Sequence, residues 1–256
     1  MAGEFWLGVL QTMIGSAVGF FFGIAAFHWQ QRSQLSKQEK EEWRSALDAL
    51  NRLTMAAGAN IEALANSKIH LIADMKPEVD AIKAISDEIY EAPSEERAKR
   101  VSELVTLSGS MLHFYMTLPE TSIMHPPAFS EYSSLSKDMP ALTLFVHRAV
   151  TFTQELNEYA RTRNNLIAQQ ALESDMTAER TIYYASMLSG MGNAICETTD
   201  NALDFWLLCF EQVRAYMQAK AQGEHVVSYQ IAPRAMQVMP QEELFPLMRQ
   251  QLVTFD

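Results

Sequence analysis

The sequence predicts an all-α fold in three parts: a single N-terminal transmembrane helix, an antiparallel helical bundle and a short mixed C-terminal tail. Two observations lead to this prediction. Residues 5–29 contain no Asp, Glu, Lys or Arg. Farther along, apolar residues recur every three or four positions, and Gly and Pro are sparse, with 10 and 9 among 256 residues. Because long helices with short connections form bundles, we assign residues 1–32 to a membrane anchor, 33–222 to the bundle and 223–256 to the tail.

The uncharged segment, residues 5–29, is long enough to cross a bilayer. As a helix it would measure roughly 37 Å, and a hydrocarbon core of about 30 Å needs roughly 20 apolar residues. A cleavable signal peptide is one alternative, but a basic n-region is missing and Ala25-Ala26 is followed by bulky residues. A buried core helix is another, but a helix apolar on all sides would need a large protein around it. We therefore expect a membrane span.

The residues that flank this span predict its orientation. Four basic residues follow it: Arg32, Lys37, Lys40 and Arg44. No Lys or Arg precedes it. Because basic residues stay on the cytoplasmic side, we expect the N-terminus outside and the main domain in the cytoplasm. Trp6 and Trp29 fit the two membrane interfaces, and Arg32 fits the cytoplasmic one.

Three glycines within the span lie on one helical face. Gly15, Gly19 and Gly23 repeat every fourth residue, which places them in line along a helix. Such a face permits close approach of a second helix in lipid, although glycine is also common in membrane helices. The pattern favours self-association through the span, so the expected partners are the lipid bilayer and a second copy of the chain.

The first three helices of the bundle are predicted from apolar spacing and helix-start signals. Ser36 with Glu39 fits a capping box, unless the span continues as one long helix. An apolar stripe then runs to Leu71, and Pro77 is expected to end or kink this element. A second helix is predicted over residues 77–90. A third begins at Pro93-Ser94, with acidic residues in its first turn, and ends before Pro119.

Two longer helices follow an irregular segment. Residues 118–139 contain three prolines, Pro119, Pro126 and Pro127, and many hydroxyl groups, so we expect a recognition surface or a lid there. One helix is predicted from Pro140 to about residue 172, and a second from Ala178 to Ala221. Gly223 is expected to end it. The tail is predicted to hold a β-like run, Val226–Ile231, and a short amphipathic piece, Gln241–Leu252.

Charge and cysteine content narrow the possible functions. The net charge of −11 argues against non-specific binding to nucleic acid, because an acidic protein repels the phosphate backbone. Cys196 and Cys209 are 13 residues apart in one predicted helix. That spacing is about 20 Å, beyond disulfide reach. We interpret both as buried thiols in a reducing compartment.

The sequence holds no recognisable catalytic or metal-binding motif. No H-E-x-x-H, G-x-S-x-G or P-loop sequence is present. We therefore predict no catalytic residue, no cofactor, no metal ligand and no enzyme activity. Two polar interruptions of apolar helices form one candidate polar network: Arg161, Arg163 and Asn164 with Glu197, Asp200 and Asp204. A hairpin about residue 174 would leave the two groups roughly 16 Å apart, so a direct ion pair would need another helix or subunit, and a solvated face is the simpler interpretation.

The favoured hypothesis for function is a membrane-tethered helical sensor, scaffold or protein-interaction module that self-associates through its transmembrane span and binds an unknown protein partner. The alternative is a signal-gated, pore-forming effector, for which Gln11, Thr12 and Ser16 would supply polar positions within the span. An enzyme is a third hypothesis, and it would require a deep pocket that joins the two polar interruptions.

Overall fold

A computed structural model describes residues 2–240, 244–250 and 252; within it, residues 2–14 and 16–18 are described as helix without their side chains. The chain forms two compact units, Met1–Asp48 and Ala49–Asp256. Every regular element of the described residues is helical. The predicted all-α class is therefore confirmed.

In the part of the chain that the structure describes, the five helices that precede residue 221 are long, and the two helices after it are short. In chain order they are α1 (Ala2–Ser67), α2 (Ala73–Glu91), α3 (Ser94–Ser110), α4 (Leu142–Leu172), α5 (Ala178–Lys220), α6 (Pro233–Gln237) and α7 (Pro246–Arg249). A π-helical turn, Lys68–Ile72, joins α1 to α2, and three 3₁₀ turns occupy His113–Tyr115, Phe129–Glu131 and Ser133–Leu135.

The first helical break falls earlier than the sequence predicts. Pro77 does not end a helix, because it lies inside α2. The irregular turn is Lys68–Ile72, which has the wider hydrogen-bond spacing of a π-helix. Pro77 lies one turn into α2, and its missing N–H removes the α-helical hydrogen bond to the carbonyl of Ala73, the first residue of that helix.

Most other predicted boundaries agree with the structure. α3 begins at Ser94 with Glu95 and Glu96 in its first turn. α5 begins at Ala178, and the side chain of Thr177 caps it by accepting a hydrogen bond from the backbone of Arg180. α5 ends at Lys220, one residue before the predicted end.

The larger unit, Ala49–Asp256, is a helical bundle, as predicted. α4 packs along α5, and the connection of only five residues between them, 173–177, makes them antiparallel. Trp206 of α5 is fully buried, and its Nε1 donates to the Thr153 hydroxyl of α4 at 3.2 Å. α2 also packs against α5, at Gly192, where an added Cβ would stand 2.5 Å from Val79 Cγ2.

The tail is held against the end of α1 that belongs to the larger unit. The Asn51 side chain donates to the His225 carbonyl at 3.1 Å and accepts from the Val227 backbone at 2.8 Å. Glu62 accepts from the Ala232 backbone at 3.2 Å. No strand occurs among the described residues, so the prediction of a β-like run in the tail is wrong: these backbone groups bond to helix side chains instead. Of the predicted amphipathic piece, residues 241–243 and 251 lie outside the described residues.

The predicted membrane span receives no support from the part of the chain that the structure describes. No helix in that part is both long and apolar enough to cross a bilayer. The predicted span includes residues 5–14 and 16–18, whose side chains lie outside the described residues. The membrane span stays a prediction. So do the place of Trp6 at a membrane interface and the role of Gly15 in self-association within lipid.

Candidate functional site

A cavity of about 520 Å³ opens where the π-helical turn and α2 face α5. Its size is within the range of about 300–1,000 Å³ that is typical of small-molecule sites. The lining residues come from both walls: Lys68, Ile72, Ala73, Lys76, Pro77 and Asp80 on one side, and Asn193, Cys196, Glu197 and Asp200 on the other.

The local sequence explains why a cavity forms at this place. Lys68 and Ile72, the first and last residues of the π-helical turn, are four residues apart and both line the opening. Pro77 adds a second backbone irregularity within the same wall. On the opposite wall, Asn193, Glu197 and Asp200 are spaced by four and three residues, which places them on one face of α5.

Both lysines of the cavity are engaged with acceptors. Lys68 Nζ lies 2.5 Å from Asp200 Oδ1 and donates to the Val238 carbonyl at 2.8 Å. Lys76 Nζ lies 3.1 Å from Asp80 Oδ2. The hydrogen bond that Lys76 donates to Asp80 raises the pKa of Lys76, so this amine stays protonated and is no nucleophile at neutral pH.

Glu197 is the carboxylate of the cavity that lacks such a partner. Within the described residues, no Lys or Arg nitrogen lies within salt-bridge distance of it, although its charge contributes to the raised pKa of Lys76. Two lysines against Asp80, Glu197 and Asp200 leave the lining with a charge of −1. The cavity therefore favours a positive ligand.

Cys196 lines the cavity as an inert thiol. Burial raises its pKa from the ordinary 9.0 to about 11, and the neighbouring Asp200 and Asp80 act in the same direction. Only the thiolate attacks, so a high pKa makes this residue a poor nucleophile. The described residues also include no cluster of three or more His, Cys, Asp or Glu side chains that could hold a metal ion.

The raised thiol pKa predicts slow alkylation of Cys196. At pH 8 its thiolate fraction is about a hundredfold below that of an ordinary thiol, because each pKa unit changes the fraction tenfold. We expect the alkylation rate with iodoacetamide, followed by mass spectrometry, to keep rising up to pH 10. The urea-unfolded chain is the control, and its thiols should react at ordinary rates. Equal rates at pH 8 in the folded and unfolded chain would contradict the prediction.

The structure places the residues of the predicted polar network in separate locations. Glu197 and Asp200 lie in the cavity, whereas Asp204 is buried one turn farther along α5 and pairs with Arg249 of α7. Arg161 pairs with Glu120 on the surface at 3.0 Å. The cavity is lined by two residues of the α5 interruption, Glu197 and Asp200, and by none of the α4 interruption.

Arg163 is a fully buried cation that holds the irregular segment. Its guanidinium donates to the carbonyls of Met116 at 2.5 Å and His113 at 3.4 Å, and also to that of Phe114. Burial lowers its pKa to about 10, so the side chain still carries its charge at neutral pH. Arg163 therefore acts as an anchor for residues 113–116.

Three asparagines continue this anchoring along the segment. Each pairs with both the N–H and the carbonyl of one residue: Asn164 with Leu118, Asn157 with Thr121 and Asn60 with Met124, all at 2.7–3.0 Å. The paired residues are three apart, which is the period of polyproline II backbone. This pairing holds residues 118–124 against α1 and α4, and the hypotheses of a recognition surface or a lid for residues 118–139 stay predictions.

The cavity itself could not be located from the sequence. Glu197 and Asp200 were recognisable as a polar interruption of α5. Lys68, Lys76 and Asp80 carried no such signal, because charged residues at helical spacing are typical of a solvated face. The one sequence signal near the cavity was Pro77. It predicted a helix irregularity at residue 77, whereas the structure has the π-helical turn before it, at Lys68–Ile72.

No protein-family model, no curated protein and no solved structure matches this chain. Its function is therefore inferred from the geometry of the chain itself.

Proposed function

We propose that this protein is a membrane-tethered helical sensor or interaction module, self-associating through its N-terminal helix and without catalytic activity. One observation carries the proposal: the N-terminal unit exposes a run of large apolar side chains. They are Phe20, Phe21, Phe22, Phe27 and Trp29, each 63–77% exposed. Large apolar side chains exposed together are typical of a surface that contacts a membrane or another protein. The hydrocarbon core of a bilayer would remove these side chains from water.

The glycine face supports the self-association part of the proposal. An added Cβ at Gly15, Gly19 or Gly23 would meet nothing within 4 Å. The chain itself leaves this face open, so a second helix can approach it closely. For the same reason, a larger side chain there disturbs no contact within the protomer, and its effect reports on assembly.

The bundle supports the sensor part of the proposal. It combines a ligand-sized cavity with a loop that is fixed by backbone pairing, and its nucleophilic side chain in that cavity is an unreactive thiol. These features suit recognition. The second candidate, a pore-forming effector, would use the same glycine face but would make membranes leak.

Leucine at the glycine face is expected to weaken assembly. We expect Gly19→Leu/Gly23→Leu to weaken self-association in lipid by at least about tenfold, or roughly 1.4 kcal/mol, because the side chains prevent close backbone approach. Crosslinking in membranes and native mass spectrometry measure the oligomer. The matched control is Phe20→Leu/Phe22→Leu, which should assemble normally.

Two results would contradict the proposal. An oligomer that survives leucine at both glycines would remove the role of this face in assembly. Wild-type protein that washes off vesicles in alkaline carbonate would remove the tether. Release of a trapped dye by wild type, lost in the glycine variant, would instead favour the pore-forming effector.

A further inference from the structure

We propose that the cavity between the π-helical turn and α5 binds a small aliphatic amine in its protonated form. This inference names the ligand class of the proposed sensor. It rests on the proposed function in one respect, that ligand binding to this cavity is what the sensor detects. Charge, wall composition and the arrangement of α5 each support it.

The charge of the cavity selects a cation. Its carboxylates outnumber its ammonium groups by three to two, and both ammonium groups already contact acceptors. Glu197, by contrast, is exposed to the cavity and has no basic nitrogen within salt-bridge distance in the described part of the chain. An anion would have to displace Asp200 or Asp80 from its lysine. The net charge of −11 further raises the local concentration of cations.

The wall composition selects an organic cation over a metal ion. Ile72, Ala73 and Pro77 form an apolar surface beside the carboxylates. A metal ion gains nothing from that surface and needs several oxygen ligands at once, whereas no such cluster exists among the described residues. An aliphatic chain gains free energy by covering these side chains, so the ligand carries a methylene body as well as an ammonium group.

The face of α5 supplies the recognition groups. Asn193 and Glu197 are four residues apart and therefore lie one above the other, with Asp200 on the next turn. An ammonium group has three donors and no acceptor. It can therefore donate both to the Glu197 carboxylate and to the side-chain amide oxygen of Asn193. The body of the ligand then lies along Pro77 and Ala73.

Titration with cadaverine tests this inference. Full-length protein in phosphatidylcholine nanodiscs is titrated by calorimetry, and we expect saturable binding of one cadaverine per chain. Glu197→Gln should weaken it about tenfold, the loss of one charge-assisted contact. Ala73→Leu should also weaken it by occupying the space beside Pro77 where the ligand body lies, and because Ala73 is exposed the change disturbs no core packing. Glu179→Gln, at an exposed position in the first turn of α5, is the matched control and should bind as wild type does.

Three results would overturn the inference, provided that circular dichroism shows each variant folded. They are the absence of saturable cadaverine binding, equal binding by wild type and Glu197→Gln, and equal or tighter binding of hexanoate, an anion of similar length. The outcome is separable from the membrane proposal: amine binding without self-association would remove only the proposed tether, and self-association without amine binding would remove only this site.

Discussion

Replacing Arg163 by methionine is expected to lower the free energy of unfolding by about 3 kcal/mol, because three main-chain carbonyls lose their donor and an unsatisfied buried acceptor costs about 1–3 kcal/mol. Relief of the cost of burying the charge offsets part of this loss. The affected carbonyls belong to His113, Phe114 and Met116, where the irregular segment begins. Urea denaturation followed by circular dichroism measures the change.

Two variants control this prediction. Arg161→Met lies two residues away but removes only a surface ion pair with Glu120, whose side chains are both more than half exposed. Such pairs contribute little, so its stability should stay close to that of wild type. Arg163→Lys keeps the charge but has one nitrogen to serve three carbonyls, so it should fall between the two. Equal stability of Arg163→Met and Arg161→Met would show that the carbonyls are satisfied by water and that Arg163 does not anchor the segment.

The helices could be predicted from the sequence because their signals are local. Glu95 and Glu96 after Pro93, and Gly223 after α5, are signals that lie within one turn of the helix end that they mark. The break between α1 and α2 could not be placed, because a π-helical turn depends on what the helix packs against and leaves no residue signature comparable to proline. The tail was misassigned for a related reason: extended residues look like a strand, whether they pair with a strand or with asparagine side chains.

The candidate site was only partly predictable, because its two walls are more than a hundred residues apart in the sequence. The α5 wall was visible as a polar interruption at Glu197 and Asp200. The charges that complete it, Lys68 and Lys76, become a site only once the bundle places them opposite α5. The asparagine anchors are similar: Asn60 acts on Met124 across 64 residues, and nothing near Asn60 in the sequence indicates it.

The second large effect is expected at the contact between Gly192 of α5 and Val79 of α2, the two helices that form the walls of the cavity. Gly192→Ala is expected to lower the free energy of unfolding by about 2 kcal/mol: overpacking costs about 1–3 kcal/mol, and the better helix propensity of alanine returns part of it. The new Cβ would stand 2.5 Å from Val79 Cγ2, and a β-branched side chain cannot rotate away freely. α2 must therefore move away from α5. The measurement is again urea denaturation.

Matched variants separate this close approach from the general effect of alanine in a helix. Gly190 lies two residues earlier in α5, is exposed and has nothing within 4 Å of an added Cβ, so Gly190→Ala should stabilise the protein by about 0.5–1 kcal/mol. Val79→Ala removes the methyl groups that the new Cβ would meet, so Gly192→Ala should cost little in that background, a coupling of about 2 kcal/mol in a double-mutant cycle. If Gly192→Ala instead matched Gly190→Ala, α2 and α5 would not be in close contact at Val79.

Because Asn193 and Pro77 flank this contact and both line the cavity, Gly192→Ala should also weaken cadaverine binding, whereas Gly190→Ala should leave it unchanged.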